Sequence, residues 1–282
     1  MKRHFVNKVL QFFQAVSGDV LVGAFAMGIY AVYLLDVKPV FEWWLVLMLS
    51  VWAVYTADHL IDGFSRKNEA AIYRHRLHYR FHYFLFGLEL AVIVAAVVLA
   101  FYYLDDKILR GGIVMGILVF IYFLMVYLGR QKSFYFHKEF FIAIFYVTGI
   151  WLAPLIWFQK PLTLYYFGII TGFVILAWTE SILIALFDME NDKHDGHPSF
   201  ITFYGSVSSK KFVKILLQAH FILMIILLFK CDEQKKYVAV TIQLLMNGLI
   251  FLLSVFEERL KKTSYYKMLG EMIFWLPAVM VL

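Results

Sequence analysis

Residues 163–199 read TLYYFGIITGFVILAWTESILIALFDMENDKHDGHPS. Positions 163–187 are apolar or small-polar apart from Glu180, and Asp188, Glu190, Asp192 and Asp195 then follow in close succession. At 1.5 Å per residue, such a run crosses a hydrocarbon core of about 30 Å, and its acidic end belongs at the headgroups. The stretch therefore reads as a membrane-spanning helix that delivers carboxylates to one face of a bilayer.

The same ruler, applied outward, gives spans near 17–35, 40–61, 82–104, 108–128, 140–158, 163–187, 212–229, 237–256 and 266–282. Composition agrees: 62% of the 282 residues are hydrophobic and 16% charged, with a mean hydropathy of +0.75. A soluble domain is closer to half apolar and a quarter charged. The expected fold is an all-α integral membrane bundle of nine transmembrane helices in a single domain. The single cysteine, Cys231, excludes an internal disulfide. The opening segment MKRHFVNKVLQFF is basic and aromatic without a small-residue cleavage site, so it is expected to be retained.

Of the 26 Lys and Arg, 19 fall in the loops that share a side with the N-terminus and 7 in the others. By the positive-inside rule the N-terminus and the loops after spans 2 and 6 are cytoplasmic, as in a multi-pass protein of the inner (cell) membrane. The net charge of +6 is thus explained by topology and anionic headgroups, and no nucleic-acid partner is expected.

Span 2 ends in VWAVYTADHLIDGFSRKN, residues 51–68, and repeats the acidic pattern. Asp58 and Asp62 are four apart, as are Asp188 and Asp192, so each pair shares one helix face. Paired carboxylates near lipid call for a counter-cation. Hard oxygen donors without Cys or closely spaced His favour Mg²⁺, which binds one or two carboxylates together with substrate phosphates. The expected site is a Mg²⁺-diphosphate centre on Asp58, Asp62, Asp188 and Asp192. Arg66, Lys67, Arg130, Lys132 and Lys193 flank it and suit phosphate oxygens, although topology alone accounts for basic loops. The two sites lie four spans apart in the same orientation, as two four-helix halves plus one appended helix would leave them.

FDMENDKHDGHPS resembles the second motif of the UbiA superfamily of intramembrane prenyltransferases, Asp-x₃-Asp-x₃-Gly, met by Asp188, Asp192 and Gly196 with Ser199 following. The family's first motif, Asn-Asp-x₂-Asp-x₃-Asp, is met in its second half by Asp58 and Asp62, while Val54 and Tyr55 stand where the family has Asn and Asp. The resemblance implies a central cavity open to lipid, with an isoprenyl diphosphate held through Mg²⁺ on the four aspartates. It further implies an allylic cation captured by a lipophilic acceptor, aromatic or isoprenoid, which then loses a proton. A terpene cyclase or a catalytically silent lipid-binding relative would share these features. A transporter would place its carboxylates nearer the midplane.

Tyr55, Glu180 and Asp195 are further cavity or catalytic candidates, Glu180 because it lies about 12 Å deeper than Asp188 along the same helix. Glu89 is a second intramembrane acid, more simply read as a packing residue. His59, His75, His78, His82, His194 and His197 crowd the same loops without a recognised metal-ligand spacing.

Overall fold

The computed structural model describes residues 2–66, 73–131, 137–195, 199–261 and 266–281. These form thirteen α-helices and one 3₁₀ segment, with no strand among the described residues. In chain order they are α1 (Lys2–Ala15), α2 (Gly18–Leu35), α3 (Phe41–Arg66), α4 (Tyr73–Arg80), α5 (His82–Tyr103), α6 (Asp106–Gln131) and α7 (Lys138–Trp157). There follow α8 (Leu164–Asp195), α9 (Phe200–Tyr204), α10 (Ser206–Leu228), α11 (Gln234–Val255), α12 (Glu257–Leu260), α13 (Tyr266–Ile273) and the 3₁₀ helix Leu276–Val281. Among the described residues eight helices are long and apolar enough to cross a membrane: α2, α3, α5, α6, α7, α8, α10 and α11. Each coincides with one of the first eight spans read from the sequence.

The ninth expected span is not a continuous helix. Residues 266–281 are divided between α13 and the 3₁₀ helix, with a turn at Phe274 and Trp275. Pro277 lies in the 3₁₀ stretch and cannot donate to a continuing α-helical ladder. Each half rises only about 12 Å. The Trp275 indole donates to the Asp19 carbonyl at 3.0 Å, which anchors this broken segment to the start of α2.

Helix α2 is central: 67% of its apolar window is buried, against 6% for α6 at the rim. Small residues make that possible, since Ala24 and Ala31 alternate with Met27 and Leu34 along its fully buried face. Tyr30 on the same face donates to the Ala239 carbonyl of α11 at 3.0 Å and meets Phe173 of α8 edge-on, ring centroids 4.9 Å apart. The exposed Phe86, Phe101 and Phe120 of α5 and α6 present the apolar surface that lipid requires.

Between α8, α10 and α11 the core is polar and satisfied. His220 contacts Gln243 Oε1 through Nε2 at 3.2 Å and Asn247 Nδ2 through Nδ1 at 3.0 Å. Gln243 Nε2 donates to the Ile169 carbonyl, and Asn247 Nδ2 to that of Leu217. Gly172 admits this network, because a Cβ there would strike Gln243 Oε1 and Met224.

Candidate functional site

The helices carry both acidic motifs to the same end of the bundle. α3 continues to Arg66 and α8 to Asp195, so all four motif aspartates are helical and project from the last turns of spanning helices. The Lys138 ammonium, at the start of α7, interacts electrostatically with Asp62 and Asp58 of α3 and with Asp192 of α8. One cation is thus shared by carboxylates from both motifs. Asp192 is additionally hydrogen-bonded to Ser199 and repelled by Asp188.

Asp188 is buried, 4% exposed. Its Oδ1 accepts from the Tyr266 phenol at 2.5 Å and its Oδ2 pairs with the Lys267 ammonium at 2.5 Å, both donors coming from α13. On α3, Asp58 Oδ2 is 3.9 Å from His59 Nδ1, and Asp62 Oδ2 is 3.8 Å from His75 Nε2 of α4. The His59 ring lies 6.1 Å from that of His75 and 5.2 Å from that of His78. Burial lowers the His78 pKa, and its Nδ1 donates to the Arg74 carbonyl at 2.8 Å.

A cavity of about 320 Å³ opens below these groups, lined by Asp188 and Lys267 together with Tyr55, His59, Arg74 and Asp19. Arg74 projects from α4 and acts electrostatically on Asp188, Asp19, Glu180 and Glu271. Tyr55, which replaces a carboxylate of the resembled motif, meets Tyr146 of α7 with ring centroids 6.4 Å apart. The start of α9 is held by Glu139, whose Oε1 accepts from the Phe200 amide at 2.8 Å, and by the Ser199–Thr202 capping box.

Of the basic residues expected from sequence, Lys67 and Lys132 lie outside the described residues, as does Gly196 of the second motif. Arg66, Arg130 and Asp195 are in helix ends, their side chains outside the described residues. Lys193 is exposed. Among the described residues Lys267 pairs with Asp188, and Lys138 and Arg74 act electrostatically on the motif carboxylates. Lys138 and Lys267 carried no signal beyond loop charge. Asp19 and Glu271 could have been found, since each is an acid within an apolar stretch, the criterion that singled out Glu180. Glu89, on rim helix α5, is buried and away from this cavity's lining.

Among the described residues no group of three His, Cys, Asp or Glu side chains forms a ready-made metal cage. The donor chemistry nonetheless fits Mg²⁺ completed by phosphate oxygens, because every candidate ligand is a hard carboxylate and ammonium groups stand beside them. Comparison with protein-family models, curated proteins and solved structures found no match to the chain.

Proposed function

We propose that the chain is a membrane-embedded, Mg²⁺-dependent prenyltransferase of the UbiA type. It would move an isoprenyl group from an isoprenyl diphosphate to a lipophilic, aromatic acceptor. The supporting observation is the shared interaction of Lys138 with Asp58, Asp62 and Asp192, together with Asp188 in the lining of the adjoining cavity. In this proposal Tyr266–Val281 is a ninth, broken crossing appended to two four-helix halves. The N-terminus and both motif loops face the cytoplasm, as the distribution of Lys and Arg supports.

Asp58, Asp62, Asp188 and Asp192 would hold Mg²⁺, which when bound neutralises charge on the departing diphosphate. With the metal on these carboxylates, the Lys267 and Lys138 ammonium groups and the Arg74 guanidinium would be available to phosphate oxygens. Arg66, Lys67, Arg130, Lys132 and Lys193 supply the basic rim that draws in the anionic donor. The Tyr55 and Tyr146 rings lie beneath, where their faces stabilise positive charge developing on the allylic carbon. The acceptor would capture that carbon and then lose a proton, which completes the transfer.

One observation favours the silent, lipid-binding alternative: Lys267 and Tyr266 already satisfy Asp188 without a metal. Native mass spectrometry of the protein extracted from its own membranes separates the outcomes at the level of ligand. A retained isoprenyl diphosphate that is lost on adding EDTA supports the assignment. Retention of ordinary phospholipids alone, unchanged by EDTA, contradicts it.

A further inference from the structure

The bundle holds a second cavity, of about 460 Å³, that shares no lining residue with the first. It uses another face of α8, with Leu183 and Leu186 in its wall where Ile184 and Asp188 line the first. Val213 of α10 extends this apolar floor, and all three are buried. Val255 and Phe256, where α11 gives way to α12, also line it and are 57% and 44% exposed, so its apolar wall continues into the lipid-facing surface.

The mouth is charged. Lys210 and Lys214 are one turn apart on α10 and therefore share a face. Lys210 Nζ pairs with Glu257 Oε2 of α12 at 2.8 Å, and Lys261, just past α12, pairs with Glu190 of α8 at 3.1 Å. These pairs tie the short helix to both neighbours. The Arg259 guanidinium of α12 lies over the Phe256 ring, 5.9 Å from its centroid. Among the described residues Lys214, Arg259 and Glu258 have no ion-pair partner, so with Lys210 neutralised by Glu257 the mouth keeps one net positive charge. The positive-inside rule places cations in loops; it does not require cations from two helices to converge on an apolar pocket at the ends of spanning helices. Cations above an apolar floor at headgroup level match a phosphodiester with its chains attached.

We propose that this cavity seats a glycerophospholipid of one net negative charge, its phosphate on Lys214 and Arg259 and an acyl chain along Leu183, Leu186 and Val255. The hydroxyls of an uncharged head such as glycerol then donate to Glu258. The assignment does not rest on prenyl transfer.

The test is native mass spectrometry of the delipidated full chain in detergent, titrated with phosphatidylglycerol, phosphatidylethanolamine or phosphatidylcholine of identical chains. The first phosphatidylglycerol should bind about tenfold tighter than the first molecule of either zwitterionic lipid, as two surface cations provide. Combining Lys214→Gln with Arg259→Gln should remove the preference, and Lys211→Gln, at an exposed lysine outside the lining, should leave it. Val255→Trp, which narrows the cavity without altering charge, should weaken phosphatidylglycerol binding severalfold. Glycerophosphoglycerol, the same head without chains, should fail to displace the bound lipid. No preference for phosphatidylglycerol, a preference undiminished in the double Gln variant, or an equal loss in Lys211→Gln overturns the proposal. Displacement by glycerophosphoglycerol at equal concentration overturns it in favour of a free phosphate ester.

Discussion

Lys267 Nζ and Asp188 Oδ2 are 2.5 Å apart, joining α13 to α8 through side chains only 19% and 6% exposed. Removing one partner of such a buried pair leaves an uncompensated charge, typically at about 3–5 kcal/mol. A cation bound to Asp188 would relieve it. Lys267→Met should therefore melt at a lower temperature than the wild type in EDTA and recover a larger part of that loss in millimolar Mg²⁺. Thermal melts of both proteins with and without Mg²⁺ check this; equal Mg²⁺ shifts in the two would argue against metal at Asp188.

The polar core around His220 gives a coupled prediction. Gly172→Ala forces a Cβ against Gln243 Oε1 and should destabilise by about 1–3 kcal/mol, the usual range for overpacking. Gln243→Ala alone strands His220 Nε2, at a similar loss of about 1–3 kcal/mol. In the double variant the clash disappears with the side chain, so the combined loss should be smaller than the sum. A double-mutant cycle by unfolding in mixed micelles measures the coupling.

Acidification should weaken the packing of α4. Burial lowers the His78 pKa from its ordinary 6.5, and the Arg74 guanidinium adds to the effect while the hydrogen bond to the Arg74 carbonyl opposes it. The folded form therefore takes up this proton less readily than the unfolded chain. Its contribution to stability is complete above about pH 6.5 and is lost as pH falls below that value. The melting temperature should drop more between about pH 7.5 and about pH 5.5 in the wild type than in His78→Gln. Parallel pH profiles for the two proteins would refute the assignment.

Orientation can be read by labelling. In a Cys231→Ser background, a cysteine placed at the exposed Lys230 should react with a membrane-impermeant maleimide added to intact cells, and one at the exposed Lys211 should not. Reaction at both, or at Lys211 alone, contradicts a cytoplasmic motif face.

The eight continuous spans were legible because a long apolar run has few alternatives to a membrane helix. Residues 266–281 are apolar apart from Lys267 and Glu271, and hydropathy counts that without registering the hydrogen-bond pattern broken around Pro277. In the site, the four-residue spacing of Asp58 with Asp62 and of Asp188 with Asp192 was visible because periodicity places both members on one face. Lys138 and Lys267 were not, since the positive-inside rule gives every loop lysine the same explanation and only packing shows which one turns inward. Tyr266 was hidden for a related reason: an aromatic at a bilayer boundary ordinarily reads as an interfacial anchor.

The central claim is that carboxylates from α3 and α8 jointly activate a diphosphate leaving group. Metal-held charge matters most as the carbon–oxygen bond breaks, so its loss should appear in the rate more than in binding. The most direct measurement is single-turnover release of inorganic diphosphate from a panel of isoprenyl diphosphates, with Mg²⁺ and an aromatic acceptor, by wild type, Asp58→Asn and Asp188→Asn. The account predicts Mg²⁺-dependent release by the wild type and a loss on the order of 10²-fold or more in each variant. Rates unchanged in both Asn variants, or a wild type that binds donor and Mg²⁺ yet releases no diphosphate with any acceptor, would contradict it.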